Sequence, residues 1–163
     1  MFEDNNINAS LELPYKLFEI NSNKTYFCIQ LQDIYEEINK YISTNFKIII
    51  KNRDYINIKN VIETYIDISI YDLYNFYKEI KNIDRNFKNS KKATLKSYTN
   101  NKIIEIILLD NTDLKININI KINSEIEINI NTITKYSDIY DYIRNFSKFF
   151  REIEELEKNY NFL

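Results

Sequence analysis

Glycine and histidine are both missing from the 163-residue sequence, and proline, cysteine and methionine occur once each. Without glycine there can be no phosphate-cradling loop, no dinucleotide-binding fingerprint and no nucleophile elbow, since each needs backbone that a Cβ would obstruct. Positions requiring positive φ pass to Asn or Asp, which tolerate it next best; Asn52, Asn60, Asn100, Asn101 and Asn123 are read this way. Without histidine the commonest general base, proton shuttle and metal ligand is gone, and zinc has no ligand set. The single Cys28 cannot form an internal disulfide. It lies in the apolar run TYFCIQL, with no histidine or cation cluster nearby to lower its pKa, so it reads as a buried structural thiol. No apolar run is long enough to span a membrane, and the start MFEDNNINAS is acidic and polar. Neither a signal peptide nor a transmembrane helix is expected, which points to a cytoplasmic setting.

Charge is nearly balanced. The 22 basic and 24 acidic residues leave a net charge of −2, so no global field argues for nucleic acid or an anionic membrane. Isoleucine, asparagine, lysine and tyrosine supply more than half of the chain, a bias of the kind an AT-rich genome imposes. The clearest pattern is LKININIKINSEIEININTI at 114–133, where Leu114, Ile116, Ile118, Ile120 and Ile122 alternate with polar residues and the beat resumes at Ile126, Ile128 and Ile130. An apolar residue at every second position puts all of them on one face of a strand, so the stretch predicts a half-buried antiparallel hairpin. Opposed residues share a face, hence Ile must oppose Ile. That requires an odd loop, with Ile122 against Ile126 and Ile120 against Ile128, or Ile120 against Ile126 and Ile118 against Ile128. A two-residue turn at Asn123-Ser124 would bury Glu125 and Glu127 and is excluded by parity.

Residues 1–13 read as a flexible arm before a single domain at 14–163. Tyr15–Ile20 and Thr25–Leu31 form a first hairpin. In 31–42 Leu31, Ile34, Ile38 and Ile42 fall at helical spacing, which predicts a short helix against an extended alternative. Phe46–Ile50 and Val61–Ile68 are strands. Ser69 followed by Asp72 opens a helix over about 69–82, whose stripe is Leu73, Phe76, Tyr77, Ile80 and Ile83. A short strand near Ala93–Tyr98 and a nearly continuous apolar strand at Ile103–Leu109, expected to be buried on both faces, lead into the hairpin. A long amphipathic helix at 137–158 is the natural cover for the hairpin's isoleucines. The expected fold is α+β: a single two-layer domain, an antiparallel meander sheet with the amphipathic helices packed on it.

Little chemistry is visible. The acids Asp138 and Asp141 suit a helix N-terminus, and Glu152, Glu154, Glu155 and Glu157 read as its solvated face, so neither cluster points to a catalytic or metal site. No cofactor is expected. From Lys78 to Lys102 the chain is locally basic, and Phe87, Lys88, Lys91, Lys92 and Tyr98 together could grip single-stranded nucleic acid by charge and stacking.

From about Asn45 to Ile153 the order of elements resembles the WapI-type immunity proteins, small bacterial proteins that protect a cell from toxins of neighbouring bacteria. The resemblance is carried by Asn45-Phe46, Ile68-Ser69, Asp72-Leu73, the strands from Ile103 to Ile133, and Ile139 with Ile143 and Phe146; Phe46 stands where the family usually has Trp. It implies a non-enzymatic protein that neutralises a toxin partner by masking its surface. The acids and aromatics of the last helix, Asp141, Tyr142, Glu152 and Glu155, are the expected contact face, and a mildly acidic protein suits a basic, nuclease-like target. The competing reading, nucleic-acid binding through the 78–102 segment, predicts retention on a polyanion column at low salt and steep release as salt rises. Passage through that column unretained would dismiss it.

Overall fold

A computed structural model describes residues 11–36, 42–54, 57–85, 91–99, 101–110 and 112–160. Its class is α+β, as expected. The strands fall into two four-stranded antiparallel sheets, each a meander in chain order. The first contains β1 (Tyr15–Asn21), β2 (Thr25–Glu36), β3 (Ile42–Asp54) and β4 (Asn57–Ile66); the second contains β5 (Lys92–Lys96), β6 (Lys102–Asp110), β7 (Asp113–Lys121) and β8 (Glu127–Lys135). Helix α1 (Ile70–Arg85) follows the first meander and α2 (Asp138–Tyr160) follows the second. Contacts gather the chain into two compact units, one of residues 1–66 with 145–163 and one of residues 67–144.

In the first unit, Ser22 closes the opening hairpin. Its hydroxyl accepts the Thr25 N–H at 3.0 Å and its own N–H donates to the Thr25 carbonyl at 2.9 Å. The predicted helix at 31–42 is not formed by the residues described there: Leu31–Glu36 continue β2, Ile42 opens β3, and 37–41 lie outside the described residues. The cause is a bulge. Leu31 pairs with Phe46 but Asp33 pairs with Asn45, so Gln32 is an extra residue. One inserted residue turns the period of two into three, which brings Leu31 and Ile34 onto one buried face. Spacing of i, i+3 thus arose from a bulged strand. A second bulge at Leu17 lets both Leu17 and Phe18 be fully buried.

Phe18 and Phe27 meet edge to face at 6.3 Å, and Phe46 meets Phe149 of α2 in the same way at 6.0 Å. Tyr15 Oη donates to the Asn145 carbonyl at 2.9 Å, and Lys148 lies over the Tyr15 ring. The greater part of α2 therefore covers the first sheet, whereas the sequence had assigned this helix to the isoleucine ribbon. Its buried stripe of Phe146, Phe149, Ile153 and Leu156, spaced three and four apart, complements an aromatic-rich sheet face.

The second unit is built from β5–β8, α1 and the first residues of α2. The α1 start is as predicted: the Ser69 hydroxyl accepts the Asp72 N–H at 3.0 Å and donates to Asp72 Oδ2 at 2.6 Å, while the Ser69 carbonyl accepts the Leu73 N–H at 3.1 Å. Leu73, Phe76, Ile80 and Ile83 are fully buried, and α1 lies against β5, where Glu79 Oε2 accepts the Thr94 N–H at 2.7 Å. The β7–β8 hairpin adopts the first of the two permitted registers: Ile120 opposes Ile128, Ile118 opposes Ile130, and the Ile122 N–H donates to the Ile126 carbonyl at 3.0 Å. Its loop has three residues, and Asn123 Oδ1 organises it by accepting the N–H groups of Glu125 and Ile126 at 2.9 and 2.8 Å. On β7 every isoleucine of the face is buried. On β8 they are only half-buried. Strand β6 is central but not buried on both faces, since Leu109 is 43% exposed; its outward Glu105 lies beside Asn117 of β7.

These contacts rank two substitutions. Ile118→Ala should cost about 2–5 kcal/mol through the lost transfer energy and the cavity left behind, and Ser69→Ala about 1 kcal/mol through the lost cap. Urea unfolding curves measure both. Equal midpoints for the two variants would contradict this account of the second unit.

Candidate binding surfaces

The four residues expected to form a contact face on the last helix do not share one. Asp141 is exposed and paired with Arg144 at 2.7 Å, and Glu155 is exposed. Tyr142 is 3% exposed and Glu152 5%. Tyr142 continues the heptad-like stripe from Ile139 to Phe146, so its ring is core, and burial foremost, with Asp138 adding, raises its phenol above the ordinary range. Two of the residues named for the nucleic-acid alternative, Phe87 and Lys88, lie outside the described residues. Of the others, Lys91 and Tyr98 are exposed, Tyr98 at 78%, while Lys92 is bound to Glu105 at 2.6 Å. Lys102 reaches the same carboxylate at 3.3 Å. The hydrogen bond from Lys92 foremost, helped by Lys102 and opposed by burial, lowers the Glu105 pKa. The basic segment is thus partly neutralised by an acid outside its own run of lysines.

Glu105 belongs to a surface that the sequence reading passed over. Alternation along β6–β8 sends Ile104, Ile106, Ile116, Ile118, Ile120, Ile128 and Ile130 inward and Glu105, Asn117, Asn119, Asn129 and Asn131 outward, and the register sets Glu105 beside Asn117, Asn117 beside Asn131 and Asn119 beside Asn129. They line an open groove of about 420 Å³ with Lys102, Lys121 and Glu127 along its sides. Asn117 Nδ2 donates to Glu105 Oε1 at 3.4 Å, and Asn119 Nδ2 donates to Asn129 Oδ1 at 2.7 Å and to Glu127 Oε1. Asn117 Oδ1 is buried and has no hydrogen-bond partner among the described residues. A buried acceptor left unsatisfied is costly, and this one lines a groove where an incoming N–H or O–H would meet it. The signal was available in the sequence: the same alternation that exposes one set of residues as core defines the other as a ladder of amides.

The outer face of the first sheet carries a different cluster. Lys51, Arg53 and Lys16 lie over the Tyr26 ring at 5.2, 5.7 and 5.8 Å, in the range of cation–π attraction. Tyr26 Oη donates to Glu19 Oε2 at 2.8 Å, and Lys16 binds the same carboxylate at 2.6 Å. Burial acts to raise the Glu19 pKa, and the hydrogen bonds from Lys16 and Tyr26 outweigh it, so the carboxylate titrates below its usual range. Register explains the cluster, because Tyr26 opposes Lys51 on β3. Cys28, two residues along the same face, is fully buried beneath these side chains. Burial foremost pushes its thiol up to about 11, the inert thiol expected from the sequence.

Compared with known proteins, no family model matches the chain, and no curated protein or solved structure matches it.

The Cys28 environment has a measurable consequence. Alkylation of the native protein at pH 8 should be slow and should become complete on denaturation, because the thiolate is the reacting species. Since the folded thiol holds its proton more tightly than an ordinary one, its contribution to stability is present below pH 9 and declines as pH rises toward 11. Cys28→Ser should therefore flatten the loss of stability over that interval in urea titrations, whereas an unchanged slope would remove Cys28 as its source.

Proposed function

We propose that this chain is a non-catalytic binding protein that neutralises a protein partner by covering part of its surface, as the resemblance to WapI-type immunity proteins implies. Masking needs a complementary face rather than a reaction centre, and the outer face of β6–β8 has the makings of one: amides that both donate and accept, ordered by a sheet whose other side is core. The observation that carries the reading is Asn117 Oδ1, a buried acceptor in an open groove that an incoming N–H or O–H would satisfy. A polar, hydrogen-bonding patch of this kind fixes orientation and selects a partner. Asp141 and Glu155, exposed on the last helix, supply negative charge that would speed encounter with a basic toxin. Tyr142 and Glu152 are withdrawn from the contact face because both are buried.

The test is co-expression of this chain with the products of the reading frames that flank its gene, among which the reading expects a toxin. A complex that co-purifies and abolishes toxicity is expected. Asn117→Ala combined with Asn119→Ala should weaken it about tenfold or more, equivalent to about 1.4 kcal/mol, with the unfolding midpoint used to confirm an intact fold. Binding unchanged in that double variant would remove the groove from the interface, and the absence of any complex with a folded toxin would remove the reading itself.

A further inference from the structure

We propose that β8 is an edge through which two copies of this chain pair, antiparallel and two-fold symmetric about Asn131, joining their second sheets into one. The inference stands on the edge of the sheet and is independent of the partner-masking reading.

Strand β8 is the last in its sheet, and no further strand pairs with it among the described residues. Both ends of its ladder show which backbone groups are engaged: the Ile122 N–H donates to the Ile126 carbonyl at 3.0 Å and the Tyr136 N–H to the Thr112 carbonyl at 2.8 Å. Antiparallel ladders alternate hydrogen-bonded and non-bonded pairs, and the register between those ends is unbroken. Even-numbered residues of β8 therefore bond to β7. The N–H and C=O groups of Glu127, Asn129, Asn131, Ile133 and Lys135 point away from the sheet. An edge of this kind is a template for another strand unless something blunts it.

The opposite edge is blunted. Strand β5 is five residues long, has Lys at both ends, and its Thr94 N–H is taken by Glu79 of α1. Strand β4 of the first sheet carries Lys59 and Glu63 within its length, and Glu63 is held by Lys47 at 2.9 Å. By contrast, 128–134 of β8 reads Ile-Asn-Ile-Asn-Thr-Ile-Thr, seven residues without charge or proline. Uncharged stretches of high β-propensity are the ones that pair. Their inward side chains are half-buried, in contrast to the buried Ile116, Ile118 and Ile120 of β7, so apolar surface remains to be covered.

The sequence of the strand selects the partner and the register. A two-fold axis at Asn131 sets each Asn131 against its copy, Ile130 against Thr132, Ile128 against Thr134, and Glu127 against Lys135. Opposed residues share a face, so inward stays inward, the Asn groove faces of the two copies become continuous, and an acid meets a base at both ends. The outward backbone groups of Asn131 then form a mutual pair, as the symmetry requires. Existing contacts do not prevent this. Glu127 holds Asn119 on its own sheet, and the Lys135–Asp113 pair is long at 3.5 Å with the lysine 78% exposed, a geometry that contributes little.

The experiment uses the whole chain without any partner. Sedimentation velocity over a concentration series should show the mass rising from 19.8 kDa toward twice that value. Lys135→Glu, which sets acid against acid at both ends, should hold the protein monomeric, and the swapped variant Glu127→Lys with Lys135→Glu should associate again. Register is read by cross-linking. Paired Asn131 Cα atoms would lie about 5.5 Å apart, within the span of a disulfide, so Asn131→Cys should give a covalent dimer on mild oxidation. Asn129→Cys should not, since its copies would be roughly 13 Å apart, four residues' rise along the strand. Cys28, fully buried, does not contribute a competing thiol in the folded protein. A constant monomer mass at every concentration, equal cross-linking of the two cysteine variants, or undiminished association of Lys135→Glu would overturn the proposal. Toxin neutralisation by a strictly monomeric protein would overturn this pairing alone and leave the function proposed above intact.

Discussion

Residues that face each other across an antiparallel ladder lie on the same side of the sheet, and this parity governs what the chain can do. It makes the isoleucines of β7 and β8 oppose one another, excludes a two-residue turn between them, and sends asparagines to the other side in matched rows. Burying the isoleucines supplies the driving force. The amide ladder follows as a geometric consequence. A slip of one residue would exchange the two faces entirely, placing Asn and Glu against the core, so the register is specified far more strongly than β-propensity alone would specify it.

Bulges are where parity is reset, and they account for the principal misreading of the sequence. At Gln32 one extra residue lets Leu31 and Ile34 share a buried face, reproducing on a strand the i, i+3 spacing of a helix. At Leu17 the same device places two consecutive apolar side chains in the core. With no glycine in the chain, Asn and Ser side chains organise the tight turns described here: Ser22 in the first hairpin and Asn123 in the last accept backbone N–H groups of their loops.

The polar faces show how register converts unremarkable residues into clusters. Glu105 gathers Lys92 and Lys102 only because β5 and β6 place all three on one outer face. Tyr26 collects Lys16, Lys51 and Arg53 because three strands run beside one another. In both clusters a carboxylate is held below its usual range by the cations around it. The resulting surfaces suit recognition by shape and hydrogen bonding, and each sheet presents its own.

Period and parity are local properties, and they were legible without coordinates: the hairpin at 114–133 with its odd loop and Ile120–Ile128 pairing, the Ser69 cap, the buried stripe of α1 and the buried thiol of Cys28. An alternation or a cap is defined by residues within one element, so sequence alone determined them. What only the tertiary structure decided was pairing at a distance: the division of the strands into two sheets, the aromatic partner that draws most of α2 to the first sheet, the burial of Tyr142 and Glu152, and the meeting of Glu105 with Lys92 from the neighbouring strand. Many apolar stripes can cover many apolar faces, and a linear pattern does not say which. Side-chain shape at the contact does, as Phe149 against Phe46 shows.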